Sequence, residues 1–248
     1  MLEYEWEFNV LGVYNYKKPG KLDAYYDWIR NNHLTVEGDV VEAGVFRGRS
    51  LLATALLLKE LGSNKRVIGF DSFSGFPPIY HANDQLECFR ELHQQGRITD
   101  EHLLAHEKLV SYRGMIKSAD IDVRNISSSE AFEASKLEDI QSKIEFLKLD
   151  NILLVKGSFE DTMPELHNHS EAICALLLDC DLYESYRGAL NCLWPHVSDA
   201  GFVFLDEYFS LKFPGARIAC DEFFAQRNQK PKRIGDQNEF FERWAVLK

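Results

Sequence analysis

Short apolar runs that stop at a glycine or a carboxylate alternate along this chain with longer stretches whose apolar residues recur three and four positions apart. The first pattern predicts buried parallel strands and the second predicts helices packed on them. A helical period covers residues 22–29, after a Lys-Lys-Pro-Gly turn at 17–20. At residues 38–39 a Gly-Asp pair leads into the apolar Val40 and Val41, a glycine-bounded turn follows at 44–48, and residues 51–61 read as a helix stopped by Gly62. Residues 66–71 form the next apolar run, which completes a β-α-β unit with a right-handed crossover.

From about residue 77 to 129 the chain is polar and rich in His, Glu and Gln, which predicts an insertion or lid with helical pieces over 85–94 and 100–109. Regular alternation then resumes. A helix is expected over 129–147, a strand over 152–156, a loop over 157–164, a strand ending at Asp179, a helix over 183–194, a strand ending at Asp206 and a helix over about 216–227. Two short strands, 232–234 and 243–247, close the pattern. Tyr183, Leu190 and Trp194 are spaced as one buried helix face. These elements predict a single α/β domain over residues 1–248, a Rossmann-like doubly wound sheet, mostly parallel with an antiparallel C-terminal strand and helices on both faces. Residues 1–37 are its helical lead-in.

Composition narrows the partners. A hydrophobic share of 45% in 248 residues is that of a globular protein, while a formal net charge of −11 argues against nucleic acid and against an anionic membrane surface. No run approaches the roughly 20 apolar residues of a membrane span. The first eight residues are acidic where a signal peptide would be basic, so a cytoplasmic protein is expected. The five cysteines are odd in number and lack a C-x-x-C pair, so they read as reduced and mostly buried. Self-association is left open.

Candidate chemistry lies where the apolar runs end. Leu176 to Leu178 runs into Asp179 and Asp181, and residues 201–205 run into Asp206 and Glu207. Neighbouring parallel strands would collect these carboxylates at the edge where open α/β sheets bind ligands, a seat suited to Mg²⁺. Asp181 also suits the N-cap of the helix that starts near residue 183. In the turn from Glu42 to Gly48, Gly44 and Gly48 are kept, but Val45 and Phe46 stand where a dinucleotide fingerprint needs a glycine beside a pyrophosphate. A nucleoside such as S-adenosylmethionine is therefore expected there in preference to NAD. Asp71 is placed to accept ribose hydroxyls, with Ser72 beside it, and Ser158 and Phe159 are placed beside an adenine.

This order of pieces resembles the class I S-adenosylmethionine-dependent methyltransferases, and more narrowly the macrocin O-methyltransferase family. The resemblance spans residues 38–248 and is carried by Val41-Glu-Ala-Gly-Val-Phe-Arg-Gly48, Phe70-Asp-Ser-Phe-Ser-Gly-Phe-Pro77, Val155-Lys-Gly-Ser-Phe-Glu-Asp-Thr-Met-Pro164, Leu178-Asp-Cys-Asp-Leu-Tyr-Glu-Ser185, Gly201-Phe-Val-Phe-Leu-Asp-Glu-Tyr208 and Arg243-Trp-Ala-Val246. It implies Mg²⁺-dependent methyl transfer to a hydroxyl of a sugar or glycosylated small molecule. Asp179, Asp206 and Glu207 would hold the metal, and Asp71 the ribose. The turn with Glu42, Ala43, Gly44, Gly48 and Ser50 would lie beside the methionine part of the donor, close to Asp179. Two positions depart from the family pattern: Glu207 stands where an aspartate is usual, and Phe209 where a glycine is common. Leu182 replaces the lysine base of related catechol methyltransferases, which leaves Asp179 itself or His81 of the insertion as the base. A nicotinamide-dependent oxidoreductase and a non-catalytic nucleoside-binding protein of the same fold are the competing readings.

Overall fold

The structure is a computed structural model, which describes residues 2–248. In chain order its elements are α1 (Glu5–Leu11), α2 (Asp23–Asn32), β1 (Asp39–Ala43), α3 (Arg49–Glu60), β2 (Val67–Asp71), α4 (Cys88–Gln94), α5 (Asp100–Lys117), α6 (Leu137–Phe146) and β3 (Ile152–Lys156). There follow α7 (Phe159–Thr162), β4 (Ile173–Leu178), α8 (Tyr183–Leu193), β5 (Val197–Leu205), α9 (Pro214–Ala225), β6 (Lys232–Ile234) and β7 (Arg243–Leu247).

The seven strands form one sheet in the order β3-β2-β1-β4-β5-β7-β6. The first five pair in parallel, and β7 is antiparallel to both its neighbours. The expected doubly wound sheet with its antiparallel end is therefore present. Because successive side chains on a strand point to opposite faces, β1 feeds two cores. Val41 joins Ile68, Leu176, Leu190 and Phe224 on one face, and Val40 joins Tyr25, Leu51, Leu177 and Phe204 on the other. Tyr183, Leu190 and Trp194 are all buried, as their spacing predicts. All five cysteines are free, and four of them are buried. Among the described residues no helix is long and apolar enough to cross a membrane.

Register places the chemistry. Ala43 pairs with Leu178, and Leu178 pairs with Leu205, so β1, β4 and β5 end level with one another. The glycine turn, Asp179 and Asp206 therefore leave the sheet at one carboxyl edge.

Three expected elements differ in extent. The helix expected from residue 129 begins only at Leu137. Residues 129–136 are turns, with Glu130 and Phe132 in the left-handed region at φ 53° and 61°. They fold over the glycine turn, where the Ser135 hydroxyl donates to the Phe46 carbonyl at 2.5 Å, a contact that a continuous helix could not make. α5 runs eight residues past its expected end at 109, to Lys117. The loop expected over 157–164 contains the short α7, capped by Ser158.

Candidate active site

The first wall of the site begins at Gly44, whose φ of 92° lies where only glycine is comfortable. A Cβ there would sit 2.0 Å from the carbonyl oxygen of Asp179. The turn after β1 thus touches the backbone after β4, and the Asp179 N–H donates to the Ala43 carbonyl at 2.9 Å. Gly48, at φ 74°, caps α3 and rests against Ile140. Asp71 ties the turn down: its Oδ2 accepts from the Val45 and Phe46 N–H groups at 2.7 and 2.8 Å, and its Oδ1 accepts from Phe73 N–H at 2.7 Å. About one of the four acceptor sites of a carboxylate is left free.

Behind this wall Glu42 is fully buried. The Ser50 hydroxyl donates to its Oε1 at 2.6 Å, while its Oε2 has no partner. Burial pushes the Glu42 carboxyl well above the usual carboxylate range. The Ser72 hydroxyl is engaged with Gly75 and Ser74, and Ser158 exchanges hydrogen bonds with Asp161 as the cap of α7.

The acidic wall is built differently. Asp179, Asp181 and Glu207 each present a carboxylate oxygen within 4.8 Å of the others. Asp206 turns to Lys21, whose Nζ is 2.9 Å from its Oδ2 and 3.8 Å from Asp179 Oδ2. Burial opposes ionisation of Asp206, yet the Lys21 ammonium and its hydrogen bond hold that carboxyl below its ordinary value. Burial and then the charge of Asp206 push Asp179 up. Asp181 is pushed up by burial and by Glu207, and Glu207 by burial and by Asp206. A group of wholly or partly buried carboxylates raised by burial and by mutual repulsion is what a hard cation relieves, and its all-oxygen donor set suits Mg²⁺.

Asp181 is not the helix cap that its position suggests. It lies in the left-handed region at φ 59°, and the residue at the N-cap of α8 is Leu182. The cap comes from the insertion: Asp84, only 2% exposed, accepts from Tyr183 N–H at 2.7 Å. Burial raises its carboxyl to about 6. Gly215 leaves room for it, since a Cβ there would meet Asp84 Oδ1 at 2.1 Å. A second brace is Tyr186, whose hydroxyl donates to the Leu178 carbonyl at 2.7 Å and accepts from Glu207 N–H at 3.0 Å. One phenol thereby fixes both acidic strand ends. The chain after β5 is held by α5, where His102 Nε2 lies 2.7 Å from the Ser210 carbonyl and His106 Nδ1 lies 2.8 Å from that of Leu211. Phe209 packs on the His102 ring.

Both walls face one cavity of about 1330 Å³, lined among others by Gly44, Asp71, Ser158, Asp179, Asp181 and Glu207. Ser50, Ser72, Phe159, Asp206 and Lys21 also reach it. Glu42, Ala43 and Gly48 lie behind its surface, and His81 is not on it. The His81 ring stacks on Tyr183 at 4.3 Å, and its Nδ1 accepts from Asn83 N–H. Lys21, Asp84 and Tyr186 were not singled out by sequence pattern. Only Tyr186 carried a signal, since a tyrosine on an apolar helix face needs a partner for its hydroxyl.

The macrocin-O-methyltransferase (TylF) family model matches residues 20–108 and 109–240. A tetracenomycin rhamnosyl 4'-O-methyltransferase of Streptomyces olivaceus is 30% identical over 176 residues, 70% of this chain and 54% of that protein. Mycinamicin III 3''-O-methyltransferase of Micromonospora griseorubida is 26% identical over 76% of this chain and 61% of its own length. The chain thus spans a little over half of these curated relatives. Among solved structures, the O-methyltransferase NovP matches with a TM-score of 0.62 at 22% identity, covering 90% of this chain and 79% of that one. The calicheamicin methyltransferase CalS11 gives 0.61 at 17% identity, covering 98% and 80%. With the family model matched across most of its length and both walls of the site in place, the chain belongs to the macrocin O-methyltransferase family.

Proposed function

We propose that the protein is an S-adenosylmethionine-dependent, Mg²⁺-dependent O-methyltransferase whose acceptor is a hydroxyl of a sugar or glycosylated small molecule. The observation that carries this reading is the single cavity in which a nucleoside-sized wall, Gly44 to Phe46 with Asp71, faces the carboxylates after β4 and β5. Its volume exceeds the upper end of ordinary small-molecule pockets, roughly 1,000 Å³, so donor and acceptor fit together. The relative named for a rhamnosyl-tetracenomycin supports a saccharide as acceptor.

When bound, the donor supplies an electrophilic methyl group and the cation increases the acidity of an acceptor hydroxyl. The chain does the rest. Asp71 accepts a ribose hydroxyl at its free lone pair, Ser158 and Phe159 flank the adenine, and the Gly44 turn lies beside the methionine part. Asp179, Asp206 and Glu207 hold the cation. Asp181, which has no lysine or arginine ion-paired to it among the described residues, is placed to take the hydroxyl proton. The turns of residues 129–136 cover the donor side.

Labelled methyl transfer to a panel of deoxysugar glycosides tests the reading. A chelator is expected to abolish transfer, and added Mg²⁺ to restore it. Asp179→Asn is expected to lower turnover by roughly 10- to 100-fold or more, the range for weakened metal sites, with the fold intact. Full activity of that variant, or of the wild type in excess chelator, would overturn the cation's role.

A further inference from the structure

Lys21 is the one cation ion-paired to the acidic edge among the described residues, and it comes from the N-terminal segment, 185 positions before Asp206. Its ammonium points between Asp206 Oδ2 at 2.9 Å and Asp179 Oδ2 at 3.8 Å. Its other neighbour is the face of Tyr14, 5.4 Å from the ring centroid. Tyr14 is itself anchored by its N–H to the Arg49 carbonyl at 3.1 Å, at the start of α3. A divalent cation held by Asp179 and Asp206 would draw on the same carboxylates. An ammonium and a divalent cation that share these carboxylates repel one another at close range.

We infer that Lys21 is a built-in counter-cation of the acidic edge, which competes with the divalent metal for Asp179 and Asp206 and is displaced toward the cavity when the metal binds. The inference rests on the cation reading proposed above. It gives a task to the segment before β1, whose Lys21 lies at the very start of the family match. Lys21 neutralises part of a carboxylate cluster that would otherwise repel itself, and it sets how tightly the metal is held. Because Lys21 lines the cavity, its displaced ammonium enters the space shared by donor and acceptor. Metal loading and the charge of the substrate chamber are thereby linked.

Mn²⁺ binding followed by calorimetry, without donor or acceptor, tests this on the full chain. Lys21→Met is expected to tighten Mn²⁺ binding about tenfold or more, because a nearby positive charge is removed. Lys21→Arg, which keeps the charge, is expected to stay near wild type. A purely structural lysine would instead lower thermal stability in both variants and leave Mn²⁺ affinity unchanged or weaker, which overturns the inference. Should Lys21→Met fold poorly, the wild type gives an independent readout. Acetylation of Lys21 by acetic anhydride, measured by peptide mass, is expected to speed up several-fold when Mn²⁺ is added. Unchanged or slower acetylation overturns displacement. Wild-type protein that binds no Mn²⁺ at millimolar concentration overturns the cation reading itself, whereas normal binding with no response to Lys21→Met overturns only the role of the lysine.

Discussion

Two strand ends of this protein look alike in sequence and differ in what surrounds them. At the end of β2, Asp71 accepts three backbone N–H groups, all from the β-α-β unit to which it belongs or from its own turn. At the ends of β4 and β5, Asp179, Asp181 and Glu207 face one another with their ionisation opposed by burial and by mutual repulsion. A carboxylate supplied with N–H donors is a settled structural group that can lend a spare lone pair to a ligand. Carboxylates crowded without donors hold unspent electrostatic energy, which a cation or a proton can draw on. The contrast extends to their supports. The Asp71 wall is held from within, whereas the acidic wall is held from outside by Lys21, by Asp84 of the insertion and by the histidines of α5.

The joint between the two walls is Gly44, and breaking it should give the largest effect. Gly44→Ala places a methyl group 2.0 Å from the Asp179 carbonyl oxygen, with backbone on both sides and φ at 92°. Neither wall can yield without moving a strand end. The variant is expected to lose roughly 3 kcal/mol or more of stability, or to fail to fold, as read by urea unfolding. Gly62→Ala is a control with a positive but smaller φ, 64°, and no atom within 4 Å of the added methyl. It should lose far less. Equal losses would mean that strain, and not the contact between the walls, sets the requirement at Gly44.

Asp71 tests whether its wall is structural, ligand-binding or both. Asp71→Ala strands three N–H groups and removes the ribose acceptor, so donor affinity and thermal stability should both fall, each by roughly 1.5–3 kcal/mol. Asp179→Asn should behave in the opposite way: donor affinity nearly unchanged, and stability unchanged or raised, because repulsion is relieved. Calorimetry with the demethylated donor and a melting curve decide between them. If both variants weaken the donor alike, the division of labour between the walls is wrong.

The sheet was legible because its strands are buried on both faces and therefore read as continuous apolar runs with abrupt ends, as in residues 173–178. The acidic strand ends were visible for the same reason. Hidden from sequence were contacts that join distant segments. Nothing in the spacing of the chain indicates that Lys21 meets Asp206, or that Asp84 rather than Asp181 caps α8. Asp181 had the right residue type and place for a cap, but its positive φ turns it away from that role. Residues 129–136 read as helix because their composition permits one, and the turns there are imposed by the Phe46 carbonyl and the backbone near Phe76. Local propensity yields where tertiary contacts satisfy the backbone better.

The smallest expected effect concerns the outer clamps on the acidic wall and their response to pH. His102 and His106 are buried against the Ser210 and Leu211 carbonyls, and burial holds both imidazoles below their ordinary 6.5. A histidine lowered in the fold is neutral there at a pH where the unfolded chain is already protonated. Its contribution to stability is therefore complete above 6.5 and is lost as the pH falls below that value toward the folded pKa. Asp84 works in the other direction: raised to about 6 from 3.8, it favours the fold most at low pH, and that contribution fades as the pH rises through about 6. Between about 6 and 6.5 the two histidines and Asp84 thus respond in opposite senses, so removing the histidines isolates their share. Acidification across that interval should lower the melting temperature by a few degrees at most. It should raise the KM of the acceptor while leaving donor affinity unchanged, because the loop after β5 loosens and the Asp71 wall does not. In a His102→Asn, His106→Asn double variant the same acidification should produce no such change in either quantity. A wild-type response confined to donor affinity would place the pH-sensitive element on the wrong wall and remove the clamps from the account of the acidic edge.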